Sequence, residues 1–319
     1  MATMHLMISH ASALDEACKH TLSHLALPHL AALLGLLKPA GPALGSDEQS
    51  LNTPFEHSLA RLRGSVQPHA DSDGLLPTAA WAAEATGEDP HLPWALLTPL
   101  HLAVGSDQVN AYAPESLALT DEESRQFFAA LAELWPANEG WRACWLSRYQ
   151  WLLTHDSLAG LSSASVERVL LRNVDPWMPT ARRLRTLQNE VQMLLHREPL
   201  NAQREARGAL ALNSVWISGC GAAPDTLTPL PANLQIDSSL QASQLAADWA
   251  AWAEAWTQLD EGAVSELLQR ARLGEPVQLT LCGERFAQSY QLPPRGALQK
   301  TLQRWLPPRA NAAAALEAL

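Results

Sequence analysis

Residues 182–221 place a long amphipathic helix directly before an apolar strand, and this succession limits the possible folds more than any other part of the chain. Leucines recur at helical spacing over 179–197, so one face of this helix is predicted to be buried. A polar turn at 201–208, an apolar strand at 212–217 and the loop SGCG at 218–221 follow. A helix that packs on the strand after it indicates helices layered on a sheet.

Helical and strand-like segments alternate along the rest of the chain without an internal repeat. One helix start is marked by a capping box, Thr120 with Glu123. The predicted strands lie at 4–8, 94–104, 108–112, 141–153, 212–217, 277–282 and 286–292. The predicted helices lie at 12–27, 28–38, 53–62, 79–85, 120–135, 163–173, 179–197, 239–259 and 298–306, with one more ending at 273. The sequence therefore predicts an α/β (or α+β) fold, a mixed sheet with helices packed on its faces.

The chain is predicted to form a single α/β domain over residues 1–308. A proline-rich connection at 222–233 precedes a C-terminal lobe of helices and a hairpin, and 309–319 are expected to be a frayed tail. The lobe begins with an alanine-rich helix at 239–259, which carries three of the twelve tryptophans of the chain. Their spacing of i, i+3 and i+7 puts them on one face, which is typical of packing in a core.

Charge and cysteine usage restrict the partners and the compartment. The formal net charge is −11, so we do not expect a nucleic acid partner, which would need a basic surface. The longest apolar stretch near the start, 25–37, is too short to span a bilayer, so no membrane span is expected. The four cysteines lie far apart, and no secretory signal precedes them, which predicts a reduced, cytoplasmic protein. The oligomeric state stays open.

The glycine loop at 218–221 follows a predicted strand, and open α/β sheets bind ligands in the crevice beyond the ends of their strands. Backbone N–H groups freed by Gly219 and Gly221, beside Ser218, would suit an anion. The alternative is a tight turn that needs glycine dihedral angles. Neither G-x-G-x-x-G nor a phosphate-binding lysine is present, so no cofactor is predicted. Cys220 is a nucleophile only if its pKa is lowered, and a small core residue is the alternative.

The turn before this strand carries Arg204 and Arg207 on either side of Glu205. Guanidinium groups bind carboxylates and phosphates in a bidentate manner, which predicts a small anionic ligand. The alternative is that Arg204 and Glu205 form an ion pair that pins the turn. If the first interpretation holds, Arg204→Ala weakens anion binding and leaves the fold intact. The predicted ligand-binding residues are Arg204, Glu205, Arg207, Asn213, Ser218, Gly219, Gly221, His101, Asp107, Arg172 and Asp175.

His101 and Asp107 flank the turn of a predicted hairpin, and Arg172 and Asp175 lie beside a predicted helix. An acid, a base and an orienting group are available among them. Their spacing does not fix these roles, and a structural hydrogen bond is the alternative for each, so no catalytic residue is assigned. No metal site is predicted either, because neither HExxH nor paired cysteines occur.

Several long phrases of the chain resemble one known family. They include MHLMISHASALDEAC at 4–18, LTPLHLAVGSDQV at 97–109, LAGLSSASVERVLLRNVDPWMP at 158–179 and LQNEVQMLLHREPLNAQREARGALALNSVWISGCG at 187–221. The chain resembles the RpfE-type regulatory proteins of proteobacteria, often labelled as similar to cofactor-independent phosphoglycerate mutase. That label implies an alkaline-phosphatase-like site, in which Asp and His hold two metals beside a Ser or Thr nucleophile. Here the first predicted strand ends in Ser9-His10, where such a site has a metal-binding Asp-Gly.

Three functions therefore stay open. The first is a cytoplasmic regulatory or anionic-ligand-binding protein with a pocket near 213–221 and its arginines. The second is a metal-dependent phosphoryl-transfer enzyme related to the mutase, which requires a convergent Asp and His cluster. The third is a scaffold for protein partners, which requires exposed tryptophan patches.

Overall fold

The computed structural model describes residues 3–45, 47–64, 72–293 and 310–319. The predicted fold class is confirmed, because the chain forms an α/β structure in which a mixed sheet has helices packed around it. The chain was predicted to form one domain, and its contacts divide it into two compact units. The first unit comprises Met1–Glu48, His57–Arg63 and Thr228–Leu319, and the second comprises Gln49–Glu56 and Gly64–Leu227. Local sequence patterns predict the elements but do not predict which of them share a core.

The strands are, in chain order, β1 Met4–Ile8, β2 Lys38–Pro39, β3 Leu44–Gly45, β4 Trp94–Leu100, β5 Leu102–Val104, β6 Val109–Ala111, β7 Arg142–Ser147, β8 Gln150–Thr154, β9 Ser214–Gly221, β10 Leu234–Asp237, β11 Val277–Cys282 and β12 Phe286–Gln291. The helices are α1 Glu16–His24, α2 Pro28–Leu36, α3 Pro54–Leu62, α4 Thr78–Ala85, α5 Asp121–Ala130, α6 Arg182–Arg197, α7 Pro199–Ala206, α8 Gln241–Leu245, α9 Trp249–Leu259, α10 Ser265–Leu273 and, last, Ala312–Glu317. No described helix combines the length and apolarity needed to cross a bilayer.

The first unit is built on a mixed sheet with the strand order β10-β1-β11-β12-β2, and β3 also pairs with β12. β1 lies parallel to both β10 and β11, and β11 forms with β12 the predicted antiparallel hairpin. Leu6, Met7 and Ile8 of β1 are fully buried, as a central parallel strand requires. Leucines of α2 and the tryptophans Trp252 and Trp256 of α9 complete the core.

The helix predicted at 239–259 is interrupted. Ala247 adopts a left-handed conformation, and the carboxylate of Asp248 accepts a hydrogen bond from the Ala251 N–H, 3.0 Å away, so a new helix begins at Trp249. Trp252 and Trp256 are buried as predicted, and their ring N–H groups donate to backbone carbonyls of residues 10 and 11.

Helix α2 begins without a polar residue at its own N-cap, which is Leu27. Its cap comes from Asp260, which lies in a π-helical turn over Asp260–Val264. The Asp260 carboxylate accepts hydrogen bonds from the backbone N–H groups of His29 at 3.1 Å and Leu30 at 2.7 Å. A buried carboxylate at this position satisfies free N–H groups and interacts favourably with the helix dipole.

The end of the chain differs from the frayed tail expected for 309–319. Asn311 caps the helix Ala312–Glu317 by accepting from the Ala314 N–H, and Leu316 and Leu319 are buried. Two leucines on one side of an alanine-rich turn are enough to attach this helix to the core of the first unit. The helix predicted at 298–306 lies outside the described residues.

The second unit is built on an antiparallel sheet with the strand order β7-β8-β4-β9. Alternate residues of β4 face opposite layers: Ala95 and Leu97 pack towards α6, whereas Trp94 packs towards α4. Buried leucines and Val191 of α6 cover one face of the sheet, as predicted, although α6 begins at Arg182 and not near Pro179. The predicted capping box of α5 is confirmed, and β5 and β6 form the predicted hairpin.

Three predicted boundaries in the second unit are corrected. The polar turn at 201–208 is mostly helix α7, which Pro199 begins and Glu198 caps. The loop at 218–221 is the end of β9. The helix predicted at 163–173 is a single 3-10 turn, Val166–Arg168, because residues on either side bond to neighbouring segments.

Candidate functional site

Four of the predicted ligand-binding residues, His101, Asp175, Glu205 and Asn213, line one pocket of about 520 Å³ in the second unit. This volume is within the range of small-molecule sites. The other polar residues of the lining are Asn189, Gln192, His196 and Asn201. The apolar residues are Leu102, Val104, Val109, Val174, Met178, Leu195 and Ala211.

The pocket forms where β4 ends and β9 begins. Leu100 pairs with Ser214 in the antiparallel ladder, so His101 and Asn213, the next residue outward on each strand, are neighbours. Nδ1 of His101 lies 2.8 Å from the Ala211 carbonyl, and the ring contacts that of Tyr112. A carbonyl can only accept, so Nδ1 carries the proton and Nε2 of the neutral ring is an acceptor.

Asn213 and Asn201 hold the walls of the pocket. The Asn213 amide accepts from the Leu102 N–H at 2.7 Å and donates to the Leu102 carbonyl at 2.9 Å, which joins β5 to the start of β9. The Asn201 amide donates to the carbonyls of Leu195 and Leu212 and accepts from the Leu212 N–H. Asn213, which was predicted to contact a ligand, therefore acts as a clamp within the wall.

Four polar side chains of the lining are not engaged in this way. Among the described residues, no side-chain hydrogen bond or ion pair involves the carboxylates of Asp175 and Glu205, the Asn189 amide or the His196 ring. Asn189, Gln192 and His196 had not been predicted as site residues. They lie at i, i+3 and i+7 on α6, beside its buried stripe, so their spacing was a signal that we overlooked.

Arg204 and Arg207, predicted as contacts to an anion, instead bind Glu123 of α5. The Arg204 side chain is fully buried. Its Nη1 donates to Glu123 Oε1 at 2.8 Å, its Nε donates to the Leu210 carbonyl at 3.0 Å, and its Nη2 donates to the Leu117 carbonyl. Arg207 donates to the same Glu123 oxygen from a half-exposed position. A fully buried guanidinium whose three nitrogens all donate to protein oxygens is a structural anchor, and its carboxylate partner is 81 residues away, not the adjacent Glu205.

Two competing effects set the pKa of Glu123. Burial raises it, but hydrogen bonds from the Thr120 backbone and from both arginines lower it by more, from its ordinary 4.5 to about 2. The ionised carboxylate is therefore the form that stabilises the folded protein. Because the folded pKa is depressed, this stabilisation is present above pH 4.5 and is lost as the pH falls from 4.5 towards 2.

We expect Glu123→Gln to lower the free energy of unfolding by about 2 kcal/mol at pH 7, and by progressively less below pH 4.5. Glutamine keeps the capping role at this helix position, so the substitution removes mainly the charge. Urea unfolding of both proteins at pH values from 7 to 3 measures the difference. If the difference in the free energy of unfolding between the two proteins stays constant down to pH 3, the ionised Glu123 carboxylate is not the form that stabilises the fold.

Ser218, Gly219 and Gly221 do not reach the pocket. Residues 214 and 221 are seven steps apart along β9, which corresponds to about 23 Å in a strand. Gly219, at φ +64°, packs instead against α4: a Cβ there would lie 2.7 Å from the Ala79 nitrogen and closer still to Thr78 Oγ1. Burial raises the pKa of the neighbouring Cys220 to about 12, so its thiol stays protonated and fills space in the core.

Asp107 and Arg172 are also outside the described lining of the pocket. Asp107 is exposed in the turn between β5 and β6. Arg172 accepts, through its backbone carbonyl, a hydrogen bond from the Ala111 N–H at 3.3 Å, which joins the segment before Asp175 to β6. Thus Arg172 supports the position of the pocket wall through its backbone.

A metal site of the kind that the mutase resemblance implies does not fit the described residues. Within 3–45, 47–64, 72–293 and 310–319, no group of three or more His, Cys, Asp and Glu side chains is placed to hold a metal ion. At the end of β1, Ser9 donates to the Asp237 carbonyl, and the His10 carbonyl accepts from Trp252.

Comparisons with known proteins identify no family. No family model and no curated protein matches the chain. Among solved structures, the PH0037 protein from Pyrococcus horikoshii is similar over 99% of this chain and 93% of its own, with a TM-score of 0.50 and 10% identity. Cofactor-independent phosphoglycerate mutase from Thermoplasma acidophilum DSM 1728 is matched over 98% of this chain and 95% of its own, with a TM-score of 0.40 and 11% identity. At these identities the likeness concerns the fold alone.

Proposed function

We propose that this chain is a cytoplasmic regulatory protein that binds a small polar ligand in the pocket between the β5–β6 hairpin, α6 and α7. The observation that carries the proposal is that some polar residues of the lining bond to the walls while others have no side-chain partner. Asn201 and Asn213 use their amides in hydrogen bonds to backbone groups of the walls, whereas Asp175, Asn189, His196 and Glu205 are exposed and have no side-chain partner among the described residues. A rigid wall that presents unengaged polar groups is the arrangement that small-molecule sites use for specificity.

The composition of the lining favours binding over covalent chemistry. The described lining residues include no Ser, Thr, Cys or Lys, the side chains that most often act as nucleophiles. The phosphoryl-transfer alternative also needs a metal cluster, and the described residues supply none. The resemblance to RpfE-type proteins supports a regulatory role, and the four free cysteines are compatible with a reducing compartment.

A partner scaffold is less well supported. Among the described residues of the second unit, the large exposed apolar side chains are Val104, Tyr112, Leu171, Met178 and Met193, and none of these is a tryptophan. Val104 and Met178 line the pocket, so their exposure is explained by a ligand that enters there.

A thermal-shift screen of small metabolites, covering amines, carboxylates, phosphates and sugars, tests the pocket. We expect at least one compound to raise Tm, and we expect the double substitution Asn189→Ala, His196→Ala to weaken its binding roughly 10-fold or more, since each neutral hydrogen bond contributes about 1 kcal/mol. Both side chains are exposed, so the fold should persist.

Met193→Ala is the matched control for this screen. Met193 is exposed on the same helix and does not line the pocket, so its truncation should leave the ligand-induced shift unchanged. If no compound gives a shift that depends on Asn189 and His196, the proposed binding site is disproved.

A further inference from the structure

The charge of the pocket is carried by acidic residues. Asp175 and Glu205 are the formally charged side chains of its described lining, which contains neither Arg nor Lys. Arg204, which precedes Glu205 in sequence, points its guanidinium away into the contact with Glu123 and the carbonyls of Leu117 and Leu210. With its histidines neutral, the lining therefore carries a formal charge of −2, from one Asp and one Glu.

The two carboxylates come from separate walls. Asp175 begins a 3-10 turn, Asp175–Trp177, that follows the segment bonded to β6, and Glu205 lies on α7. Neither carboxylate has an ion-pair partner among the described residues. Both side chains are exposed to solvent at the pocket, so a cation bound between them would interact favourably with each carboxylate.

One uncharged group of the lining, His101, adds an acceptor to the two carboxylates. His101 uses Nδ1 as the donor to Ala211, so Nε2 of its neutral ring adds an acceptor. Gln192 directs its amide N–H to the Ser214 hydroxyl at 3.1 Å, which commits a donor to the wall. The carboxylates of Asp175 and Glu205 and the Nε2 atom of His101 accept hydrogen bonds only, so they are best matched by a ligand that carries N–H groups, while Asn189 can either donate or accept.

Apolar residues border these acceptors. Val104 is 83% exposed and Met178 39% exposed, and both line the pocket together with Val109 and Val174. Burying such side chains contributes about 25 cal/mol for each Å² of apolar surface removed from water. A ligand with an apolar arm beside its polar head would gain this contribution, whereas a small inorganic ion would not.

We infer that the pocket takes a small organic cation, a primary amine or guanidine with an apolar arm, whose charged head lies between Asp175 and Glu205. This inference rests on the proposed function and narrows the ligand from any small polar molecule to an organic cation. The arginines of the sequence had predicted an anion instead. The cation supplies N–H donors to the two carboxylates and to His101, and its arm covers Val104 and Met178.

Three probes with the same arm and different heads test the charge: hexylamine, hexanamide and hexanoate, with binding to the full chain followed by NMR titration at low ionic strength. We expect hexylamine to bind about 10-fold or more tightly than hexanoate, because hydrogen bonds between oppositely charged groups are stronger than those between neutral ones. Its affinity should fall when salt is added, because salt screens exposed charges. Asp175→Asn and Glu205→Gln should each weaken hexylamine about 5-fold or more and leave hexanamide nearly unchanged.

Asp107→Asn is the control, because it removes an exposed carboxylate from the neighbouring hairpin turn, outside the described lining. It should leave all three affinities unchanged. If hexylamine is not preferred over hexanoate, or if its affinity is insensitive to both Asp175→Asn and Glu205→Gln, the cation inference is overturned. The pocket proposal survives that result if hexanamide, hexanoate or a compound of the thermal-shift screen binds in a manner that depends on Asn189 and His196, and it fails if no compound shows that dependence.

Discussion

Arg204→Ala should lower the free energy of unfolding by about 3–5 kcal/mol, because it leaves a buried carboxylate and two carbonyls without their shared donor. The Arg204 guanidinium is fully buried and joins α7 to Glu123 at the start of α5 and to the carbonyls of Leu117 and Leu210. The sequence alone predicted a loss of ligand binding with an intact fold. Chemical denaturation of the purified variant, followed by circular dichroism, measures the loss directly.

Arg207→Ala is the matched control for this prediction. Arg207 binds the same Glu123 oxygen, but 55% of its side chain is exposed. Its removal should cost about 1 kcal/mol or less, as for other exposed ion pairs. Equal and small losses in the two variants would show that Arg204 is not the anchor that its burial implies.

Gly219→Ala should destabilise the protein by about 3 kcal/mol or more, since it adds steric overlap to an unfavourable dihedral angle. A Cβ on Gly219 would overlap the Thr78 hydroxyl and lie 2.7 Å from the Ala79 nitrogen, so β9 or α4 would have to move. Both elements pack tightly in the core of the second unit. Thermal and urea unfolding of the variant measure the cost.

Gly160→Ala separates the cost of the dihedral angle from the cost of steric overlap. Gly160 has φ +66°, close to the +64° of Gly219, and no atom lies within 4 Å of the place that a Cβ would occupy on it. Gly160→Ala should therefore lower the free energy of unfolding only by the cost of a left-handed alanine, about 1 kcal/mol. If Gly219→Ala loses no more than Gly160→Ala, then glycine is needed at 219 for its backbone angle and not for close packing.

Features that depend on neighbouring residues were predictable from the sequence. The capping box of Thr120 and Glu123 and the hairpin of β11 and β12 follow from patterns within a few residues, and both are confirmed. The contact between Arg204 and Glu123 spans 81 residues and could not be read in this way. When an arginine is next to a glutamate in sequence, as at 204 and 205, the sequence does not show whether the arginine pairs with that glutamate or with a distant one.

The sequence predicted part of the candidate site, but it grouped residues by their nearness in sequence and not by their pairing across the sheet. His101 was selected because it flanks a predicted hairpin turn, and Asn213 because it opens a predicted strand. The ladder of β4 and β9 brings the two residues together. Gly219 and Gly221 were grouped with them because they are near in sequence, but an extended strand separates residues that a loop would have kept close. The side of α6 that faces the pocket was overlooked because its leucine stripe was easier to recognise than the polar stripe beside it.

The first unit is assembled from segments that precede and follow the second unit in the sequence, so it can be completed only late in synthesis. β1 leaves the ribosome long before its ladder partners β10 and β11, which begin at residues 234 and 277. Helix α2 likewise receives its cap from a carboxylate 230 residues downstream. The second unit, by contrast, draws on residues 49–56 and 64–227, all of which are translated before β10.

An apolar strand and a leucine-rich helix must therefore wait, unpaired, until the segments that complete their sheet and cap have been made. Unpaired strands and exposed apolar helices are the segments that associate wrongly with other chains. The nascent segment from β1 to β3 is thus the part of this protein for which protection by a chaperone would matter most.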